Sequence, residues 1–461
     1  MQLRHATAVC SLAAAMCAAA SVPASPEAVP AWRPVLTERT GRWEHEESRA
    51  AAGEQFGAED NPTGNPIGGG PGYTDTLARG DFTVRAPGEL RDALAKAQAG
   101  QIIFIPGDAE IDMSGQQRLS IPGGVTLASS RGWQGSSGAL VYSDRPDTPG
   151  LLEAGGGYVR ITGLRIRGPH QGRDQGPSAW GLGTNYFGTE IDNCEVSGFS
   201  FAGIAVRDGA RRAHVHHCFI HHNQMSGLGY GVAVDDADAL IEANQFDWCR
   251  HHIAGCNGRP GTGYEARYNI CGANANSHLF DMHGEASGSG IAGDWLNIHH
   301  NTFLCTTQVS IGIRGDPSQG AAIHHNRFSS PDITNALFVL AHRYRSSAQQ
   351  LALRWVAEAL GKGNTHMYRN VFGEERRLVE GLAIDVSVLR ATESSLRSLG
   401  RADLIDTIVT IRRREGSGAP ATDQVQALGE VGDEGLVQIV MSWLEGVKGS
   451  EVQQTTLGAS R

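Results

Sequence analysis

Four places in the middle of the chain end an apolar-x-apolar run with side chains that can move protons or hold carboxylates. Ile204-Ala205-Val206 leads to Arg207, and Val232-Ala233-Val234 leads to Asp235 and Asp236. Phe280-Asp281-Met282 leads to His283 with Glu285 close by, and Ile311-Gly312-Ile313 leads to Arg314 with Asp316 close by. Between them lies Arg250-His251-His252. Arginine has a planar fork that grips a carboxylate in two places. Histidine, with an ordinary pKa of about 6.5, exchanges protons near neutral pH. This combination fits β-elimination on a uronic-acid polymer. That reaction needs the C5-attached carboxylate neutralised, a base for the C5 proton and an acid for the leaving O4. Arg250 and Arg314 are assigned to the carboxylate, and His252 or His283, with His251 adjacent, to proton transfer. Asp235 and Asp281 orient a histidine or hold a metal. Asp281 either points out beside the others or is buried against a partner such as Arg314. A C5 epimerase uses the same parts and returns a proton to the opposite face.

Two other functions remain open on these residues. Asp235, Asp236 and Asp281 could serve a glycoside hydrolase, with carboxylate separations of about 5–5.5 Å for retention or about 6.5–9.5 Å for inversion. A non-catalytic surface or adhesion solenoid would need none of this chemistry. Arg207, Asp236, Tyr264, Arg267, Glu285, Asp316, Arg343 and Tyr344 are candidate substrate contacts, because Tyr and Arg suit sugar stacking and carboxylate binding. Asp235, Asp236 and Asp238 make Ca²⁺ a candidate cofactor, although no full Ca²⁺-loop signature accompanies them. No metal-ligand set is assigned.

These residues can meet only if the backbone brings distant segments into register, and a six-residue repeat supplies the means. It reads Ile161-Thr-Gly-Leu-Arg-Ile166, Ile191-Asp-Asn-Cys-Glu-Val196 and Val215-His-His-Cys-Phe-Ile220, and continues through Ile241, Ala266, Ile298, Ile323 and Met367 at gaps of 30, 24, 26, 25, 32, 25 and 44 residues. Recurrence at 20–50 residues signals a solenoid. Apolar first and last positions around short β-prone runs suit parallel strands. The expected fold is all-β, a single-stranded right-handed parallel β-helix. Measured from the fourth hexad position, Arg207, His283 and Arg314 fall at +13, +14 and +13, and Asp235 at +17. Stacked coils would line them along one groove at about 5 Å intervals. The fourth position itself reads Leu164, Cys194, Cys218, Asn244, Asn269, Asn301, Asn326 and Asn370. The asparagines predict an amide ladder at a corner. Cys194 and Cys218 predict either a disulfide or a stack of thiols. The pairs His216-His217, His299-His300 and His324-His325 read as stacking outward or corner residues.

Residues 1–24 have the pattern of a secretory signal peptide, with Arg4, an apolar stretch and Ser-Val-Pro-Ala24, implying a secreted or periplasmic protein. Residues 25–79 are read as an extended leader over the first coil. Pro87 to Ala99 reads as an amphipathic capping helix, and 80–375 as the β-helix with an inserted helix at about 346–360. Residues 376–461 are read as a small helical tail, with one helix over Glu374–Arg397. No other segment reaches membrane-spanning length. With 461 residues and a net charge of −10, nucleic acid is an unsuitable partner. The expected partner is a polysaccharide, bound by a monomer.

The stretch Gly80–Arg131, with its helix, Ile102-Ile-Phe-Ile-Pro-Gly-Asp and Ile121-Pro-Gly-Gly-Val-Thr-Leu, resembles the opening of the pectate-lyase-like parallel β-helix superfamily. The hexads resemble the repeats of its polysaccharide lyases and mannuronan epimerases. That resemblance implies carbohydrate-active chemistry on the β-helix. Tyr230-Gly-Val-Ala-Val-Asp235-Asp236 matches the approach to the epimerases' Asp-Pro-His-Asp run, without its Pro and His. Asp235-Asp236, Met282-His283-Gly284 and Ile313-Arg314-Gly315 share types and order with polygalacturonase elements, at a longer middle spacing and without the Lys.

Overall fold

The computed structural model describes residues 53–170, 172, 176–255, 261–283, 291–315, 317–331, 335–339 and 365–382. The expected signal peptide, the inserted helix at 346–360, most of the tail, and Glu285, Asp316, Arg343 and Tyr344 lie outside them. The described chain is almost entirely short strands in parallel register, wound as coils. Each coil contributes one strand to a nine-stranded parallel sheet, termed here the site sheet: Leu119–Ile121, Gly150–Ala154, Trp180–Thr184, Ala202–Arg207, Tyr230–Asp235, His251–Gly255, Phe280–His283, Ile311–Arg314 and Leu337–Val339. Each coil then passes through the hexad, whose halves form two further columns, such as Glu190–Asp192 and Glu195–Ser197.

The hexads align as their sequence implies. Ile161, Ile191, Val215, Ile241, Ala266, Ile298, Ile323 and Met367 are consecutive register partners. A corner separates the two halves because the third position takes positive φ: Gly163 at 68°, Asn193 at 52°, His217 at 51°, Tyr268 at 54° and His300 at 53°. Non-glycine side chains adopt that conformation at some cost, so something must hold them there. The fourth position does so. Asn269 Oδ1 accepts the backbone N–H of Asn244 at 2.9 Å and its Nδ2 at 3.0 Å, and Asn301 and Asn326 repeat the pattern. Each Nδ2 also donates to a carbonyl one coil back, as Asn301 does to Ala266 at 2.8 Å. The corner's stranded backbone groups are thus satisfied inside the core.

Cys194 and Cys218 continue this ladder as free thiols, which corrects the disulfide alternative. The Cys194 N–H meets Cys218 Sγ at 3.4 Å, and Cys218 Sγ faces the His216 carbonyl at 3.2 Å. Sulfur here takes the place of the amide oxygen. The histidine pairs stack as expected, with the rings of His299 and His324 5.0 Å apart and nearly parallel.

The helix Pro87–Lys96 begins with proline, which suits the first helical turn. It buries Leu90, Ala93 and Leu94 in the solenoid core against Ile102–Phe104 and Leu119–Ile121. Two expectations need correction. The leader does not lie over the first coil alone. Glu54 pairs with Arg369 and His325, the Ala58 N–H meets Thr302 Oγ1, and Gly68 donates to Ala243. Gly70 donates to Asn193, and Tyr73 to Asp192. Residues 53–79 therefore form a strap down the corner past successive coils, covering its αL turns. Beyond 375, residues Arg377–Leu382 form a strand, not the start of a helix, antiparallel to Thr365–Phe372. This hairpin pairs an edge that would otherwise be open to another chain. Among the described residues, no helix is long and apolar enough to cross a membrane.

Candidate functional site

On the site sheet, Leu182, Ile204, Val206, Val232, Val234, Ile253, Phe280 and Met282 face the main core. A separate apolar cluster covers the outer face: Trp180, Ala202, Ala205, Tyr230, Ala233 and Ala254, with Phe201 and Leu228 packed on it. Ala205, Ala233, Ala254 and Asp281 are register partners, followed by Gly312. Asp281 is thus an acid set into a row of small residues, whose lack of bulk leaves room for larger groups to close over it.

They do close over it. Asp281 is fully buried. Its Oδ1 accepts from His278 Nε2 at 2.8 Å and Arg314 Nε at 3.2 Å, and its Oδ2 from His283 Nδ1 at 2.5 Å and Arg314 Nη2 at 2.8 Å. Burial by itself would raise the Asp281 pKa. The hydrogen bonds from His278 and His283, and the charge beside it, outweigh that and hold the carboxyl well below its usual range. An ionised carboxylate only accepts, so at the contact with Asp281 it is His283 Nδ1 that donates; Arg314 Nη2, itself a donor, lies 2.7 Å from the same nitrogen without bonding to it, and Nε2 is the ring nitrogen turned away from both. His283 and Arg314 remain 16% and 19% exposed, so the cluster is not sealed from solvent.

Arg207 and Asp235 are register partners, as are His283 and Arg314, and Met282 and Val234 both align with Gly255. Arg207, Asp235, His283 and Arg314 therefore share one row at the ends of the site strands, with a single strand intervening in the middle. At about 4.8 Å per strand the row spans about 19 Å. Arg207 lies over the Trp180 ring at 4.5 Å, with Arg118 over the same ring at 4.9 Å.

Several predicted site residues belong elsewhere. His252 points into the core, fully buried and stacked on Phe246 at 5.5 Å, where burial draws its pKa down to about 4. It occupies the slot held by Gly231 and Gly203 in preceding coils, so its ring fills space that those glycines leave. His251 faces outward yet is fully buried between Tyr230 and His278, donating from Nδ1 to the His278 carbonyl at 2.5 Å. Burial, and then the neighbouring His278, hold its pKa well below the usual value. It supports His278, and neither of its ring nitrogens reaches solvent. Arg250 precedes its strand, at the opposite end from the row, and donates to the Leu228 carbonyl.

Tyr264 is a core residue whose hydroxyl reaches the Asp281 carbonyl at 3.3 Å. Arg267 lies on a hexad strand, paired with Glu242 at 2.6 Å and Glu265 at 2.9 Å. Asp236 turns into the following loop at φ 49° and pairs with Arg211, which separates it from Asp235. Arg314 grips Asp281 with the edge expected to meet substrate. Sequence reasoning missed His278. Its signal is the spacing His278-x-x-Asp281-x-His283, which reads as one site only once Asp281 is known to face outward.

His251, His278 and Asp281 each place a potential ligand atom within 4.8 Å of the others, as do Glu190, Asp192 and His216. Neither set fits a resident cation. The carboxylate of Asp281 is saturated by His278, His283 and the Arg314 cation, and that of Asp192 by Arg160, Tyr73 and Thr162.

No family model and no curated protein matches this chain. Among solved structures, an alginate lyase from Paenibacillus sp. str. FPU-7 aligns at 16% identity over 57% of this chain and 91% of its own, with a TM-score of 0.44.

Proposed function

We propose that this chain is an exported, polysaccharide-active enzyme of the pectate-lyase-like β-helix superfamily that cleaves a uronic-acid-containing glycan by β-elimination. The observation that carries the reading is the buried Asp281 carboxylate gripping His283 and Arg314 at the end of an outward-facing charged row. In this scheme His283 Nε2 takes the C5 proton, the C4–O4 bond breaks as the C4=C5 double bond forms, and the leaving O4 takes a proton from the imidazolium so made or from water. Asp281 fixes the ring and stabilises the imidazolium that forms, and His278 and Arg314 hold Asp281. Arg314 also sets positive charge beside the reacting sugar's carboxylate, and Arg207 meets a carboxylate farther along the chain. Epimerisation at C5 uses the same proton abstraction, followed by return of a proton from the other face. The hydrolase alternative loses support because Asp236 is paired in the turn and Asp281 has no face left to act as nucleophile or acid.

The test is incubation of the purified protein with alginate, pectate, glycosaminoglycans and neutral glycans, with and without chelator, following ultraviolet absorbance and reducing ends. Unsaturated product that disappears in His283→Ala and persists in His252→Phe supports the proposal. Reducing ends without absorbance would point to hydrolysis; neither signal on any polymer would leave C5 epimerisation, read as exchange of the C5 proton with deuterated solvent, or, without that exchange, a non-catalytic solenoid.

A further inference from the structure

The turns that follow the site strands stack on one another just beyond the row's Arg207 end. Val206 aligns with Thr184 and Gly183 with Glu153, so Asn185 and Gly155 extend the row by two coils. Directly after them come Tyr186 and Phe187, 39% and 40% exposed, and Tyr158, 70% exposed. Backbone bonds join these turns, from Tyr158 N to the Phe187 carbonyl and from Gly188 N to the Arg211 carbonyl, both 2.9 Å. The Tyr158 and Phe187 rings meet edge-on at 5.5 Å, and the guanidinium of Arg212, an exposed residue, lies over Phe187 at 5.7 Å.

The backbone fixes where these side chains project. One turn position reads Gly124, Tyr158, Gly188 and Arg212 in successive coils, all at positive φ of 71°, 59°, 70° and 54°. Glycine meets that requirement in two coils without steric cost. In the other two, an exposed aromatic and an exposed cation occupy the conformation that non-glycine residues also take at other turns and corners of these coils. Gly188 also makes room for the tyrosine, since a Cβ there would sit 3.0 Å from Tyr158 Cδ1.

We infer that this turn edge is a second saccharide-binding surface, on which Tyr158 and Phe187 stack against sugar rings and Arg212 meets a uronate carboxylate, so that a long anionic glycan held in the row is gripped several sugars from the reaction. The inference rests on the polysaccharide reading above and adds where the chain extends. Aromatic faces pack the C–H faces of sugars, and arginine supplies the matching charge. The edge therefore distinguishes long chains from short ones.

The test compares Tyr158→Gly and Phe187→Ala with the wild-type full chain, on whichever polymer the wild type cleaves and on its short oligomers. Each substitution is expected to raise KM for the polymer about fivefold, the scale of one aromatic contact. It is expected to leave kcat and the KM for short oligomers unchanged. Tyr158→Gly should melt no lower than wild type, because glycine relieves the strained φ, so the lost affinity cannot be ascribed to misfolding. Equal KM values for wild type and variants on the polymer overturn the inference. So does a variant that changes only self-association in sedimentation, which would assign the patch to a second copy of this chain. A wild type that neither binds nor cleaves any polymer overturns the underlying reading as well.

Discussion

Replacing Asp281 with Asn keeps its shape and removes its charge, and so tests whether the buried carboxylate organises the site. The carboxylate accepts four hydrogen bonds, from His278, His283 and twice from Arg314. An amide can accept on one oxygen only, and its NH₂ would face donors. Breaking a buried pair from one side costs about 3–5 kcal/mol, because the partner charge stays behind. Arg314 is 19% exposed and keeps some water, which places the expected loss near the lower end. His283 would also lose the acceptor for its Nδ1 proton, freeing the ring to turn or to carry the proton on Nε2. Comparable loss of an orienting carboxylate lowers turnover on the order of 10⁴-fold. Urea unfolding would measure the first effect, and initial rates below the variant's melting range the second. The pH dependence has a definite sign. The folded pKa of Asp281 is depressed, so its stabilisation is present above the ordinary carboxylate pKa and is lost as pH falls through the lower folded value. That acid limb should be missing from the variant. An Asp281→Asn protein with wild-type stability and turnover would refute the assignment of Asp281.

Three further outcomes follow from the coils themselves. His252 has its pKa lowered to about 4 by burial, so the unfolded chain binds a proton that the folded chain refuses; stability should fall by about 1.4 kcal/mol per pH unit between 6.5 and 4 from this residue, and urea titrations of His252→Phe should show a shallower slope with activity retained. Asn301→Ala should cost about 2–3 kcal/mol, read by thermal or urea unfolding, since Asn269 would lose the acceptor for both its backbone N–H and its Nδ2. In Gly69→Ala, a Cβ would sit 2.3 Å from the His217 carbonyl and 2.5 Å from Asn193 Oδ1, at a φ of 65°; the strap should lift there, and limited proteolysis should cut it faster than in the wild type.

The sequence by itself determined the winding. A hexad whose apolar ends recur along the chain has no other way to bury them than coil on coil, and its fourth position named the amide ladder in advance. It also pointed to the alignment of Arg207, His283 and Arg314, whose offsets from a stacked position differ by one residue at most, whereas Asp235, four residues farther on, is matched to them by the apolar-x-apolar run that precedes it. Only the tertiary structure decided which way neighbouring side chains point. His251 and His252 are adjacent, and one faces outward against Tyr230 while the other fills a glycine-lined slot in the core. That choice depends on Gly203 and Gly231 in earlier coils, and no local pattern around the histidines records it. The same holds for Asp281, which departs from the alanines at its place in the repeat, and for the strap. Residues 53–79 carry no repeat, and their path is set by hydrogen bonds to corners hundreds of positions away, as from Ala58 to Thr302. Periodicity reports what repeats, whereas the direction of a single side chain is fixed by the space its neighbours leave.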